Sequence, residues 1–95
     1  MNVHSDARLL GRSLRLHPQV ALRPEPFGAL AYHYDTRRLV FLKDPDVVRV
    51  VTELEHHATV AATLDACRIA PQRRGSFERA LQTLIESEML DDRAG

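Results

Sequence analysis

The sequence predicts an α+β domain in which three antiparallel strands are followed by three helices. Residues 19–43 contain short apolar runs and period-two alternation, which are typical of strands. At Asp44-Pro45 the spacing of apolar residues changes to three and four, which is typical of amphipathic helices. A three-stranded sheet cannot bury its apolar face alone, so the helices must cover it. We therefore expect a winged helix-turn-helix-like fold.

The strands are predicted at residues 19–22, 28–34 and 38–43. Prolines at 18 and 24 bound the first run, and the polar residues 35–37 separate the second from the third closely enough for an antiparallel hairpin. We expect the second strand to lie at the centre of the sheet. Its alternation places Leu30, Tyr32 and Tyr34 on one face and Ala29, Ala31 and His33 on the other.

The helices are predicted from capping residues and apolar stripes. Asp44 before Pro45 starts the first helix, and Thr59 can cap a second, shorter helix that ends near residue 66. The third helix is predicted at residues 76–87. Its apolar stripe consists of Phe77, Ala80, Leu81, Leu84 and Ile85.

Length and composition indicate one folded domain, with a flexible arm at residues 1–15, the domain proper at 16–90 and a flexible tail at 91–95. The chain has 95 residues, 44% of them hydrophobic. Thirteen basic and thirteen acidic residues balance, which argues against a general nucleic-acid binder. Cys67 has no partner for a disulfide, and no apolar run reaches membrane-spanning length, so we expect a cytoplasmic protein without membrane contact.

No pattern in the sequence indicates catalysis or a bound cofactor. His56 and His57 are adjacent, so on a helix they point about 100° apart and cannot chelate one metal ion together. The chain has no glycine-rich phosphate loop, paired cysteine motif or nucleophile elbow. We expect neither an enzyme nor a cofactor or metal site.

The third predicted strand is a candidate binding edge. The first strand is bounded by prolines, which discourage further pairing, whereas residues 39–42 contain neither proline nor glycine. An extended peptide could add a strand there. The other interpretations are pairing with a second copy in a homodimer, and an edge guarded by Arg37, Arg38 and Lys43.

A basic group gives an alternative function. Arg68, Arg73, Arg74 and Arg79 lie before or within the third helix. They could bind DNA as in winged-helix proteins, attract an acidic peptide, or form an ordinary solvated surface. The second-ranked hypothesis is a DNA-binding protein that uses Arg73, Arg74 and Arg79.

Residues 16–34 carry a resemblance to a known family. They read LHPQVALRPEPFGALAYHY and are followed at residues 37–43 by RRLVFLK. This arrangement of prolines and aromatic residues resembles the mycofactocin precursor-peptide chaperones, members of the PqqD-like family of peptide-recognition elements. The resemblance covers roughly residues 16–90 and is more specific in the strands than in the helices.

The resemblance implies a peptide chaperone without catalytic activity. Its partners would be a mycofactocin precursor peptide and a radical S-adenosylmethionine (SAM) maturase, which decarboxylates the precursor's C-terminal tyrosine, cross-links it to the adjacent valine and holds the iron–sulfur clusters. The precursor's leader would bind along the third strand, beside the third helix. One departure is that residues 55–59 replace the acidic-glycine turn common in the family. The implied peptide-binding residues are Arg38, Leu39, Val40, Phe41 and Leu42, with Phe77, Leu81 and Leu84 lining a groove.

Overall fold

The computed structural model describes residues 8–93 as an α+β fold. Five strands are described there: β1 (Leu14–Leu16), β2 (Val20–Glu25), β3 (Gly28–His33), β4 (Leu39–Leu42) and β5 (Leu90–Asp92). Three helices follow β4: α1 (Pro45–Glu53), α2 (Val60–Ala66) and α3 (Arg74–Glu86). Short 3₁₀ helices at Leu54–His56 and Pro71–Arg73 precede α2 and α3, and residues 8–10 are helical.

The predicted three-stranded antiparallel sheet is confirmed, with strand order β2-β3-β4 and β3 at the centre. Only Pro26 and Phe27 separate β2 from β3. The first predicted strand was too short, because β2 continues through Pro24 to Glu25. Tyr34 N–H donates to Gln19 C=O, so the backbone groups of every second residue from Gln19 onward point towards β3. Pro24 is not one of these residues. Its missing N–H therefore costs no ladder bond.

The capping residues behave as the sequence predicts. The Asp44 side chain accepts a hydrogen bond from Asp46 N–H at the start of α1, and Pro45 occupies its first turn. The Thr59 hydroxyl accepts from Ala62 N–H at the start of α2. The third helix begins at Arg74, two residues before the predicted start, because the 3₁₀ turn at Pro71–Arg73 leads directly into it.

A second sheet, absent from the sequence prediction, joins the two ends of the described chain. β1 pairs antiparallel with β5, with Leu14 opposite Asp92 and Leu16 opposite Leu90. Residues 9–15 and 91–93 therefore belong to the fold, contrary to the expected flexible arm and tail. Leu14 is buried, and three-residue strands are too short to give a clear period. Residues 1–7 and 94–95, the remainder of those two segments, lie outside the described residues.

Polar contacts hold the C-terminal segment against the rest of the domain. The Arg93 guanidinium donates to the backbone carbonyls of Glu55 and His57, each at 2.7 Å, and to Ala58 C=O at 3.1 Å. Arg12 forms a bidentate ion pair with Asp92. These contacts attach the C-terminal end of the described chain to the segment between α1 and α2 and to Arg12.

The hydrophobic core lies between one face of the sheet and the helices. α1 packs on β3 and β4. The inner face of β3 carries Ala29, Ala31 and His33, all buried, so the small-residue face of the predicted alternation is the one that meets the helices. Cys67 is buried in the core, and burial raises the pKa of its thiol. Within residues 8–93 no helix has the length and apolarity to cross a membrane.

Candidate functional site

β4 is an open edge of the three-stranded sheet. It pairs with β3 on one side, and no other strand among residues 8–93 pairs with it on the other. Neither proline nor glycine interrupts Leu39–Leu42. The predicted edge position of this strand is therefore confirmed.

The register decides which backbone groups of β4 face outward. His33 N–H donates to Arg38 C=O at 2.9 Å, so Arg38 faces β3. The direction of the backbone groups alternates in an antiparallel ladder. The N–H and C=O groups of Val40 and Leu42 therefore also point towards β3, opposite Ala31 and Ala29. The N–H and C=O groups of Leu39 and Phe41 therefore point away from the sheet. Within the predicted segment 38–42, only these two residues can offer backbone groups to a further strand.

A polar turn fixes where β4 begins. The Nδ1 atom of buried His33 accepts hydrogen bonds from the N–H groups of Asp35, at 3.2 Å, and Thr36, at 3.3 Å. Arg37 adopts a left-handed backbone with φ of 66°, and its N–H donates to His33 C=O at 2.8 Å. The sequence alternation placed His33 only on one face of the second strand. Its position just before a polar turn is the signal that it could organise that turn.

A close backbone approach fixes where β4 ends. A Cβ atom added at Gly28 would lie 1.8 Å from the backbone oxygen of Leu42 and 2.9 Å from its carbonyl carbon. Only glycine therefore fits at position 28, the start of β3. This position lies beside the end of β4, from which the chain continues to α1. The sequence prediction used Gly28 only as a strand boundary.

The side chains of β4 on the outer face of the sheet, away from the helices, are apolar and exposed. Leu39 and Phe41 lie on the outer face of the sheet and are 57% and 39% exposed. The ring of Phe27, in the β2–β3 turn, contacts Phe41 edge-on with centroids 6.2 Å apart. A shallow depression beside Leu39 is also lined by Ala21, Arg23, Leu30, Tyr32 and Tyr34. The sequence prediction named Leu39 and Phe41 but missed the rest of this outer face.

The three helix residues expected to line a groove are core residues in this structure. Phe77, Leu81 and Leu84 are all buried. A domain of this size has few apolar stripes, and α3 uses its only one to complete the core. The inner half of β4, Val40 and Leu42, packs with the same core. The structure thus brings together Arg38, Leu39 and Phe41 as accessible members of the predicted set and leaves the α3 residues beneath the surface.

The chain around β4 is cationic at both ends. Arg37 and Arg38 precede the strand and Lys43 follows it, all exposed. None of the three has an ion-pair partner within residues 8–93. A peptide at this edge would therefore meet positive charge at each end of the apolar stretch.

Two arginines of the basic group are engaged inside the fold. Arg73 forms ion pairs with Asp44 at 3.1 Å and with Asp46 at 2.8 Å. Hydrogen bonds from Arg73 and Arg49 lower the pKa of the Asp46 carboxyl below its ordinary value. Arg74 pairs with Asp65 at 2.6 Å. These carboxylates partly neutralise the cations that the DNA-binding alternative requires, and no observation in the structure favours that alternative.

His56 and His57, between α1 and α2, each lie beside a glutamate carboxylate. His57 Nε2 lies 3.3 Å from a carboxylate oxygen of Glu53, and His56 lies beside Glu55. Across the described range 8–93, no three His, Cys, Asp or Glu side chains are grouped to hold a metal ion.

Sequence comparisons identify relatives over most of the chain. The model of the Peptide chaperone MftB family matches residues 13–91. The protein named Peptide chaperone MftB in Mycolicibacterium smegmatis is 49% identical over 78 residues, 82% of this chain and 76% of that protein. The protein of the same name in Mycobacterium tuberculosis is 42% identical over 79 residues, 83% of this chain and 72% of that protein. The resemblance carried by residues 16–34 is confirmed.

A structural comparison supports the fold. The solved structure of TbiB1 in complex with the TbiA(beta) leader peptide superposes with a TM-score of 0.63 over 85% of this chain and 99% of that chain. The two sequences are 22% identical, so this likeness concerns the fold.

Proposed function

This chain belongs to the peptide chaperone MftB family, and we propose that it binds the leader of a ribosomally made mycofactocin precursor peptide as an added strand on β4. The outward N–H and C=O groups of Leu39 and Phe41 carry this proposal, because they lie on the unpaired side of β4, where no proline interrupts the strand. The leader peptide seen with TbiB1, a protein of similar fold, is consistent with it.

The hydrogen bonds alone are too weak for tight binding. Leu39 and Phe41 can form four ladder bonds, which contribute about 4 kcal/mol at about 1 kcal/mol each. Micromolar affinity requires about 8 kcal/mol, before the entropy of ordering the peptide is counted. Side chains must therefore supply the difference, at about 1.5 to 3 kcal/mol for each buried leucine-sized group. Arg38, Val40 and Leu42 act in this proposal by holding β4 in register.

The second part of the proposal is presentation of the bound precursor to a radical SAM maturase. In this scheme the chain is not catalytic and holds no cofactor. It raises the effective concentration of the precursor at the enzyme. Phe77, Leu81 and Leu84 contribute by completing the core that Val40 and Leu42 also join, so a groove lined by these three residues requires a change in their packing when peptide binds.

Direct titration tests the binding step. A fluorescein-labelled synthetic leader should show saturable anisotropy change with the full chain at one peptide per chain. Light scattering over the same concentrations separates this from a homodimer joined through β4, which would gain mass without peptide. Absence of any saturable signal would refute the proposed function.

Turnover by the purified maturase tests presentation. Below the KM for precursor, adding the chain should increase turnover of the full precursor and leave a leaderless substrate unaffected. Equal stimulation of both substrates would rule out leader-dependent presentation.

A further inference from the structure

The exposed apolar side chains of this domain are concentrated on one surface. Four large apolar side chains are exposed among residues 8–93, and all four lie on or beside the outer face of the sheet, away from the helices. They are Phe27, Tyr34, Leu39 and Phe41. A surface that exposes apolar groups together in this way is typical of an interaction site.

The register arranges this face into two rows that cross the strands. Leu39 lies opposite Tyr32, which lies opposite Ala21. Phe41 lies opposite Leu30 in the second row. Both rows end at the open edge of β4, where Leu39 and Phe41 have side-chain neighbours on one side only. A strand added at β4 would place two of its side chains, two residues apart, at the ends of these rows.

We propose that the outer face selects the peptide by two large apolar side chains at positions i and i+2 of the bound strand. These side chains extend the rows that end at Leu39 and Phe41. Acidic residues beside this apolar pair meet Arg37 and Arg38 at one end of β4 and Lys43 at the other. The inference rests on the proposed function, because it concerns the peptide added to the same edge.

Charge favours a peptide over a second copy of the chain as the occupant. In a two-fold antiparallel pairing of β4 with itself, the end of one strand that carries Arg37 and Arg38 meets the end of the other that carries Lys43. Like charges opposite each other across strands are destabilising. A peptide with acidic flanks has the complementary pattern, and its backbone can use the outward groups of Leu39 and Phe41.

The test uses the full chain and a labelled synthetic leader of the mycofactocin precursor. The double variant Leu39→Ala/Phe41→Ala should bind about tenfold more weakly, as two cross-strand contacts are lost. His56→Ala is the matched control: it removes a similarly exposed ring that lies between α1 and α2, outside the sheet, and should leave affinity unchanged. Circular dichroism and thermal unfolding of each variant establish that the fold is retained.

An alanine scan of the leader identifies the complementary positions. Two sensitive apolar positions separated by one residue are expected, and their effects should not add to that of Leu39→Ala/Phe41→Ala. Lys43→Gln should reduce the salt dependence of binding. If the native chain binds leader and the double variant binds equally well, this inference is overturned while the proposed function stands; if the native chain does not bind, the proposed function itself fails. A loss of oligomer mass in the double variant without peptide would assign the face to a second copy and overturn the inference.

Discussion

Proline substitutions at neighbouring positions of β4 should affect different properties, peptide affinity at one position and stability at the other. In Phe41→Pro the lost N–H is one that points away from β3, where the isolated domain makes no ladder bond. In Val40→Pro the lost N–H faces Ala31 and belongs to the ladder. The first variant should lose peptide binding and keep its stability, and the second should lose stability.

The magnitude follows from the bond that each variant loses. An acceptor left without its donor costs about 1 to 3 kcal/mol. In Phe41→Pro that acceptor is a carbonyl of the bound peptide, so affinity should fall about 5- to 150-fold relative to Phe41→Ala, which lacks the same ring. In Val40→Pro the acceptor is the carbonyl of buried Ala31, so the unfolding free energy should fall by about 1 to 3 kcal/mol relative to Val40→Ala.

Two measurements on the same four variants decide the matter. Anisotropy titration with the labelled leader gives the affinity, and urea unfolding followed by circular dichroism gives the free energy of unfolding. Equal leader affinity of Phe41→Pro and Phe41→Ala would refute the assignment of the outward N–H to peptide binding. Loss of stability in Phe41→Pro together with an unaffected Val40→Pro would show that the register is shifted by one residue.

Three further predictions concern the scaffold. Gly28→Ala should lower the unfolding free energy by about 3 kcal/mol or more and weaken leader binding, because the new methyl collides with the Leu42 backbone; an unchanged Tm would contradict the close approach. Leu14→Ala should cost about 2 to 5 kcal/mol in urea unfolding, since the side chain is buried, whereas a loose arm predicts no effect. The lowered pKa of Asp46 stabilises the fold above the ordinary carboxyl pKa, and this contribution disappears as pH falls through the lowered value. Asp46→Asn should therefore reduce Tm near neutral pH and have no effect below the lowered pKa; a constant difference at all pH values would exclude the ion pair with Arg73 as its cause.

The open edge at β4 was predictable from the sequence, but the groups that it exposes were not. Lack of proline and glycine at residues 39–42 was sufficient to choose this edge, because both residue types disfavour strand pairing. Which backbone groups face outward depends on the pairing partner of each residue, and the bond from His33 N–H to Arg38 C=O settles it for Leu39 and Phe41. The groove beside α3 was expected from the family resemblance. The side chains that were expected to line it, Phe77, Leu81 and Leu84, are buried in this domain.

Local signals in the sequence determined the order of the elements. Alternation at residues 28–34 defined β3, and Asp44-Pro45 and Thr59 defined the starts of α1 and α2, because capping and period act between residues a few positions apart. The run at residues 16–34 also determined the family, as a distinctive local pattern can.

Only the tertiary structure decided which residues meet across long separations. The choice of Ala29 and Ala31 as the inner face of β3, with Leu30 and Tyr32 left outside, depends on how closely α1 approaches the sheet. Pairing of β1 with β5 joins residues more than seventy positions apart through strands of three residues each, too short to produce a periodic signal. Both outcomes come from packing the whole chain around one core, a physical requirement that no short window of sequence contains.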